Sequence, residues 1–138
     1  ENVDLYPTFV RLAGARPSAS IDGHSLVPLL RAQPVSQWRT AALIEHHGPD
    51  TNGADPDHPA PGSGNPTSYE AIRLPNAVYV EYRGRGREYY RIDRDPAERN
   101  NVYGRLSARE RARLHATLTA LANCHGATSC WRAADPRP

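Results

Sequence analysis

Glu45, His46 and His47 close a stretch, Thr40 to His47, in which the apolar run Ala41 to Ile44 gives way to polar residues. An imidazole can donate a hydrogen bond to a sugar hydroxyl or a sulfate oxygen. The trio opens onto a long segment rich in Pro, Gly, Asp and Asn, and loops carried by a rigid sheet are where specificity residues concentrate. The plainer reading is a polar strand end in water. Neighbouring strand residues point to opposite faces, so at most one of the two imidazoles is expected to face a cleft, and the three chelate a metal poorly. A second group is Cys124 and Cys130, a Cys-x5-Cys pair around Gly126. It can close a small disulfide loop, the preferred reading, or stand as two free thiols. A zinc site would need two more ligands at suitable spacing, and His115 and His125 make no recognised pattern with the pair.

The composition narrows the classes. Hydrophobic residues make up 38% of the 138-residue chain, below the usual ~45–50%, and there are 13 Pro and 10 Gly. One domain with a substantial loop fraction is expected. Net charge is only +2; a dedicated nucleic-acid binder would carry a stronger basic excess. All 17 basic residues are Arg. Two arginine-rich stretches, Arg83 to Arg87 and Arg105 to Arg113, are therefore read as a solvated hairpin tip and a solvated helix face, and no nucleic-acid partner is expected. No apolar run approaches the ~20 residues of a membrane span. The chain has no Met and starts Glu1-Asn2-Val3-Asp4, unlike a signal peptide, so it is read as the C-terminal piece of a longer protein, with any export signal upstream.

The elements that must position these residues follow from pattern. Leu5, Phe9 and Leu12 fall at i, i+4 and i+7 and predict a helix, with Asp4 as N-cap, Pro7 in the first turn and Gly14 at C′. Ser25 to Leu30 reads as a short helix capped by Ser25. Thr40 to His47 reads as a strand. Gly48 to Ser68 lacks apolar periodicity and exceeds the roughly 12–15 residues usual for structureless loops, so it is functional or disordered. Three strands follow, 69–74, 77–83 and 87–92, with short turns at Pro75-Asn76 and Gly84-Arg85-Gly86. Val78, Val80 and Tyr82 alternate with Tyr79 and Glu81, as in a half-buried antiparallel strand. Tyr89 and Tyr90 are expected on opposite sides of the sheet, one in the core and one exposed. Ser107 to Glu110 forms a capping box ahead of a helix over 107–123, with Leu114, Leu118 and Leu121 on one face.

Two stretches carry a family resemblance. Val3-Asp4-Leu5-Tyr6-Pro7-Thr8-Phe9-Val10-Arg11-Leu12-Ala13-Gly14, followed by Ile21-Asp22-Gly23-His24-Ser25-Leu26-Val27-Pro28-Leu29-Leu30, resembles a signature from the later part of type I, formylglycine-dependent sulfatases. Tyr89 to Val102, with Asp95-Pro96-Ala97-Glu98 at its centre, is similar to the segment that ends the family's C-terminal sheet. Leu43-Ile44-Glu45-His46-His47-Gly48 and Leu121-Ala122-Asn123-Cys124 with Cys130 are similar to the N-acetylglucosamine-6-sulfatase branch.

The resemblance implies an α+β fold: a small four-stranded antiparallel sheet with the long C-terminal helix packed on one face, preceded by a helix belonging to a larger α/β domain. It implies a boundary near residue 38, with 1–38 ending the α/β domain and 39–138 forming the subdomain. The full enzyme would be a sulfuric ester hydrolase acting on sulfated sugars such as N-acetylglucosamine 6-sulfate, using formylglycine and calcium, and secreted or periplasmic. This chain would supply a wall of the substrate pocket through Glu45, His46 and His47, against an upstream catalytic domain. No catalytic residue, metal ligand or cofactor is expected on the chain itself: the cysteine- or serine-x-proline-x-arginine motif is absent, as are Lys and adjacent aspartates. The alternative reading is a free-standing secreted module that binds carbohydrate or protein without catalysis.

Overall fold

The computed structural model describes residues 1–48, 54, 64, 66–84 and 86–135. Most of the expected long loop, together with Arg85 and the last three residues, lies outside them. The chain divides into two compact units, Leu43–Arg111 and Glu1–Ala42 with Ala112–Pro138.

The sheet has four strands in the order β1 (Ala42–His46), β2 (Tyr69–Leu74), β3 (Ala77–Tyr82) and β4 (Arg87–Tyr90). β2 and β3 are antiparallel, with Tyr69 opposite Tyr82 and Leu74 opposite Ala77, so Pro75-Asn76 is a two-residue hairpin turn. β3 and β4 are antiparallel as well, with Val78 opposite Tyr90 and Tyr79 opposite Tyr89. The four-stranded antiparallel sheet and C-terminal helix expected from the sequence are thus present. β3 departs from its half-buried pattern: Ala77, Val78, Tyr79 and Val80 are all buried. It is an interior strand, and both of its faces are covered. Ala71, Val78 and Val80 form a core on one face with Tyr69, Tyr82 and Ile92 against it. On the other, the Tyr79 ring stacks on Tyr103 at 6.1 Å between centroids. Tyr89 and Tyr90 are both half-buried.

Beyond β4, Ile92 N–H still donates to the Asn76 carbonyl in the β3–β4 register, and the chain turns there, with the N–H groups of Arg94 and Asp95 both donating to the Arg91 carbonyl. Asn101 then ties the turn to the sheet. Its side-chain oxygen accepts from the N–H groups of Tyr89 and Tyr103, and its amide donates to the Arg87 carbonyl. The expected capping box is formed: Glu110 N–H donates to Ser107 Oγ at 3.2 Å, and Ser107 N–H donates to Glu110 Oε2 at 2.7 Å.

In the other unit, a 3-10 turn at Asn2–Asp4 leads into α1 (Leu5–Leu12), and α2 spans Val27–Leu30. Gly14 sits one residue past the Ala13 C-cap at φ +77, the conformation glycine adopts without strain. Asp4 occupies the N-cap position of α1 but makes no cap bond. Its buried carboxylate instead accepts from His24 N–H at 2.8 Å and from the Arg39 guanidinium at 2.5 Å. Thr8 Oγ1 donates to the Asp4 carbonyl and accepts from Leu26 N–H, locking the loop before α2 onto α1. Leu26, not Ser25, is the N-cap of α2, although Ser25 Oγ accepts from Val27 N–H.

α3 (Ala108–Ala122) buries Leu118 and Leu121. It is followed by α4 (Ala127–Ala133), a helix the sequence pattern did not predict. α4 is built by tertiary ties. Cys124 and Cys130 form a disulfide, Asp22 Oδ1 accepts from Gly126 N–H at 2.6 Å, and the Trp131 ring lies 4.1 Å from that of His24. Closing so small a loop contributes about 2 kcal/mol in the chain-entropy account. The Ile21 to Leu26 stretch is therefore structural: Asp22 holds α4, and His24 meets both Trp131 and the Asp4 carboxylate.

Candidate functional site

A cavity of about 270 Å³ opens at one end of the sheet, between the end of β1, the start of β2 and the end of β3. His46, His47, Ser68, Tyr69, Tyr82 and Arg83 line it, with Glu81 and Arg87 behind them. His46 and His47 are both among its lining residues. The strand ends at His46, so alternation no longer constrains His47. Glu45 is exposed and does not line the cavity.

Each wall has an identifiable cause. The His46 ring stacks on Tyr69 at 5.2 Å, and its Nε2 lies 3.1 Å from the Pro66 carbonyl. Tyr69 and Tyr82 face each other across β2 and β3, and their rings meet edge to face at 5.5 Å. Ser68 Oγ donates to the Gly48 carbonyl at 2.9 Å and accepts from Gly48 N–H at 3.2 Å, clamping the two ends of the loop segment together. Arg87 is spent internally: it pairs with Glu81 at 2.8 Å and donates to the carbonyls of Tyr82 and Gly86. Tyr79 donates to the other Glu81 oxygen at 2.5 Å. Burial pushes the Tyr79 hydroxyl well above its ordinary pKa, with the Glu81 hydrogen bond adding to the shift, so it stays protonated and keeps donating. The hairpin tip read as a solvated turn thus contributes Arg83 and Arg87 to the cavity lining.

His47 and Arg83 both border the cavity, and their side chains have no hydrogen-bond or ionic partner among the described residues. Imidazole, guanidinium and tyrosine groups line the cavity together with the carboxylates of Glu70 and Glu81, a set able to bind a small polar molecule by hydrogen bonds and ring contacts. Ser68 Oγ is engaged with the Gly48 backbone, and Cys124 and Cys130 are joined. Among the described residues no group of three or more His, Cys, Asp or Glu could hold a metal ion, so the donor set does not fit calcium. A formylglycine has no cysteine to arise from in a disulfide-bonded pair. No helix is long and apolar enough to cross a membrane among the described residues.

Sequence reasoning found His46 and His47 but missed Ser68, Tyr69, Tyr82 and Arg83. The hairpin register carried the signal: pairing through Pro75-Asn76 puts Tyr69 opposite Tyr82, and the loop ends beside His46.

Comparison with known proteins agrees with these features. Residues 1–123 match the family described as N-sulphoglucosamine sulphohydrolase, C-terminal. The N-acetylglucosamine-6-sulfatase of Capra hircus is 27% identical over 92% of this chain and 26% of its own length. The solved structure of BT4656 in complex with its substrate D-glucosamine-2-N,6-O-disulfate superimposes with a TM-score of 0.66 at 25% identity, covering 86% of this chain and 23% of that one. BT1596, a 2-O GAG sulfatase, gives 0.61 at 26% identity over 90% of this chain and 27% of its own. The chain spans about a quarter of the length of these relatives. With the match extending over 1–123, the chain belongs to the N-sulphoglucosamine sulphohydrolase C-terminal family of sulfatase domains.

Proposed function

We propose that the chain acts within a longer sulfuric ester hydrolase, where its cavity at His46 and His47 forms one wall of a pocket for a sulfated amino sugar such as N-acetylglucosamine 6-sulfate. The observation that supports this reading is that His47 and Arg83, whose side chains have no partner among the described residues, both line one cavity of sugar size. The nucleophile and any calcium belong to the upstream part, since this chain's donors fit neither. That upstream part is also the proposed partner of α1. Leu5, Phe9 and Leu12, the apolar stripe of α1, are 50%, 64% and 55% exposed, and Leu30 of α2 is exposed as well. The relatives are about four times as long, and the proposed cover for this face is a domain within that additional length. On this reading residues 1–38 complete the larger domain and 39–138 form the subdomain. The disulfide fits a secreted or periplasmic enzyme.

A side chain that binds the sugar equally in ground and transition states contributes uniform binding, so its loss raises KM more than it lowers kcat. One neutral hydrogen bond corresponds to roughly a two- to twelve-fold effect. In the full-length enzyme, His47→Ala is expected to raise KM for the sugar sulfate by up to about tenfold. A small aryl sulfate, lacking the sugar contacts, should show the parent KM. Equal behaviour of the variant on sugar and aryl substrates would reduce this cavity to scaffold.

A further inference from the structure

A second concavity, of about 730 Å³, shares no lining residue with the His46–His47 cavity. It lies between Tyr89 of β4, the turn that follows, and the first turn of α3. Four guanidiniums line it, those of Arg91, Arg94, Arg99 and Arg105, against two carboxylates, Asp95 and Glu110. Both carboxylates are committed to the fold. Asp95 accepts from Asn100 N–H at 2.7 Å, and Glu110 accepts from both the N–H and the hydroxyl of Ser107. Arg91 and Arg94 lean on Asp93 at 3.7 and 3.8 Å, the outer edge of ion pairing. Arg99 and Arg105 form no ion pair among the described residues. The floor is held in shape by the three hydrogen bonds of Asn101.

We propose that this groove is a second anion subsite, taking a sulfate or carboxylate of another sugar in an extended glycan. Guanidinium forks match the planar or tetrahedral oxygens of such groups and hold them with charge-assisted hydrogen bonds. The inference rests on the sulfated-sugar reading of the first cavity and extends it from a single residue to a chain. A polynucleotide is the less suitable polyanion: the chain's net charge is only +2, and no aromatic stripe interleaves the four arginines of the groove.

The test is a titration of the whole chain and of its Arg99→Ala/Arg105→Ala variant. The probes are a sulfated glucosamine–uronate hexasaccharide, the same hexasaccharide desulfated, a DNA duplex of equal net charge, and N-acetylglucosamine 6-sulfate. Neither arginine is in an ion pair among the described residues, and Arg99 only adds to the field at the Asp95 carboxylate, so a near-parent thermal melt should accompany the substitution. The double variant is expected to bind the sulfated hexasaccharide at least about tenfold more weakly, with a shallower salt dependence, and to bind the monosaccharide as the parent does. Unchanged hexasaccharide affinity overturns the subsite. So does a parent chain that binds the duplex or the desulfated chain as tightly as the sulfated one. Failure of the first-cavity reading would appear separately, in the His47→Ala comparison of sugar and aryl substrates.

Discussion

Gly23→Ala is expected to destabilise the chain by at least about 3 kcal/mol, the upper end of what overpacking costs. A Cβ at position 23 would overlap the Val3 carbonyl and come within 2.9 Å of the Asp4 nitrogen. Both are backbone atoms of the turn leading into α1, so no side chain can swing aside. Relief requires the Asp22 to Ser25 loop to lift away. That movement would loosen the Asp4–His24 bond, the Thr8–Leu26 bond and the Asp22–Gly126 bond together. Urea unfolding of parent and variant measures the loss. A variant within 0.5 kcal/mol of the parent, roughly the surface-substitution range, would mean that the loop does not press on α1 as described. Gly84, with nothing near its Cβ position, is the matched control and should tolerate alanine far better.

Asp4→Ala should cost about 3–5 kcal/mol, the range for breaking a buried ion pair by removing one partner. Asp4 is 1% exposed, and the Arg39 side chain is 10% exposed. Without the carboxylate, His24 N–H loses its acceptor and Arg39 keeps only Glu1 as an ionic partner. The Arg39 Nε is already buried without a partner, so the site has little reserve. Glu1 lowers the expected cost toward 3 kcal/mol. Asp4→Asn retains an acceptor for His24 but not the charge, and should recover part of the loss. Equal stability of Asp4→Ala and Asp4→Asn would assign the whole effect to Arg39.

These two residues also mark how far the sequence could be read. Strand limits for β2 matched because Tyr69 to Leu74 is β-favouring and is bounded by a Pro-Asn turn and a polar loop, signals that are local. The capping box matched for the same reason. Asp4 was read as an N-cap, a local role, whereas its carboxylate is taken by residues 20 and 35 positions away. Tertiary demand overrode the local preference, and the local pattern held no trace of it. α4 was missed because its seven residues carry no apolar period and are held by a disulfide and by Asp22. For α1 the periodicity was legible: Leu5, Phe9 and Leu12 make one stripe of a helix, and that stripe is exposed in this chain. At the cavity, His46 and His47 were legible as polar residues ending an apolar strand. Tyr69, Tyr82 and Arg83 were not, because only strand pairing brings residues so far apart in sequence to one rim.

Turnover by the 138-residue chain alone tests the central claim most directly, namely that it binds and shapes a substrate while the bond-breaking groups lie elsewhere. The assay follows sulfate release from N-acetylglucosamine 6-sulfate and from an aryl sulfate, with calcium and with a chelator. No release above the uncatalysed background is expected in any of the four conditions. Both cysteines are tied in a disulfide, no described cluster can hold a metal, and the only hydroxyl lining the cavity apart from the tyrosines is engaged with backbone. Calcium-dependent turnover of either ester by the pure chain would contradict the account, because it would place a nucleophile and a metal site among residues assigned here to binding and scaffold.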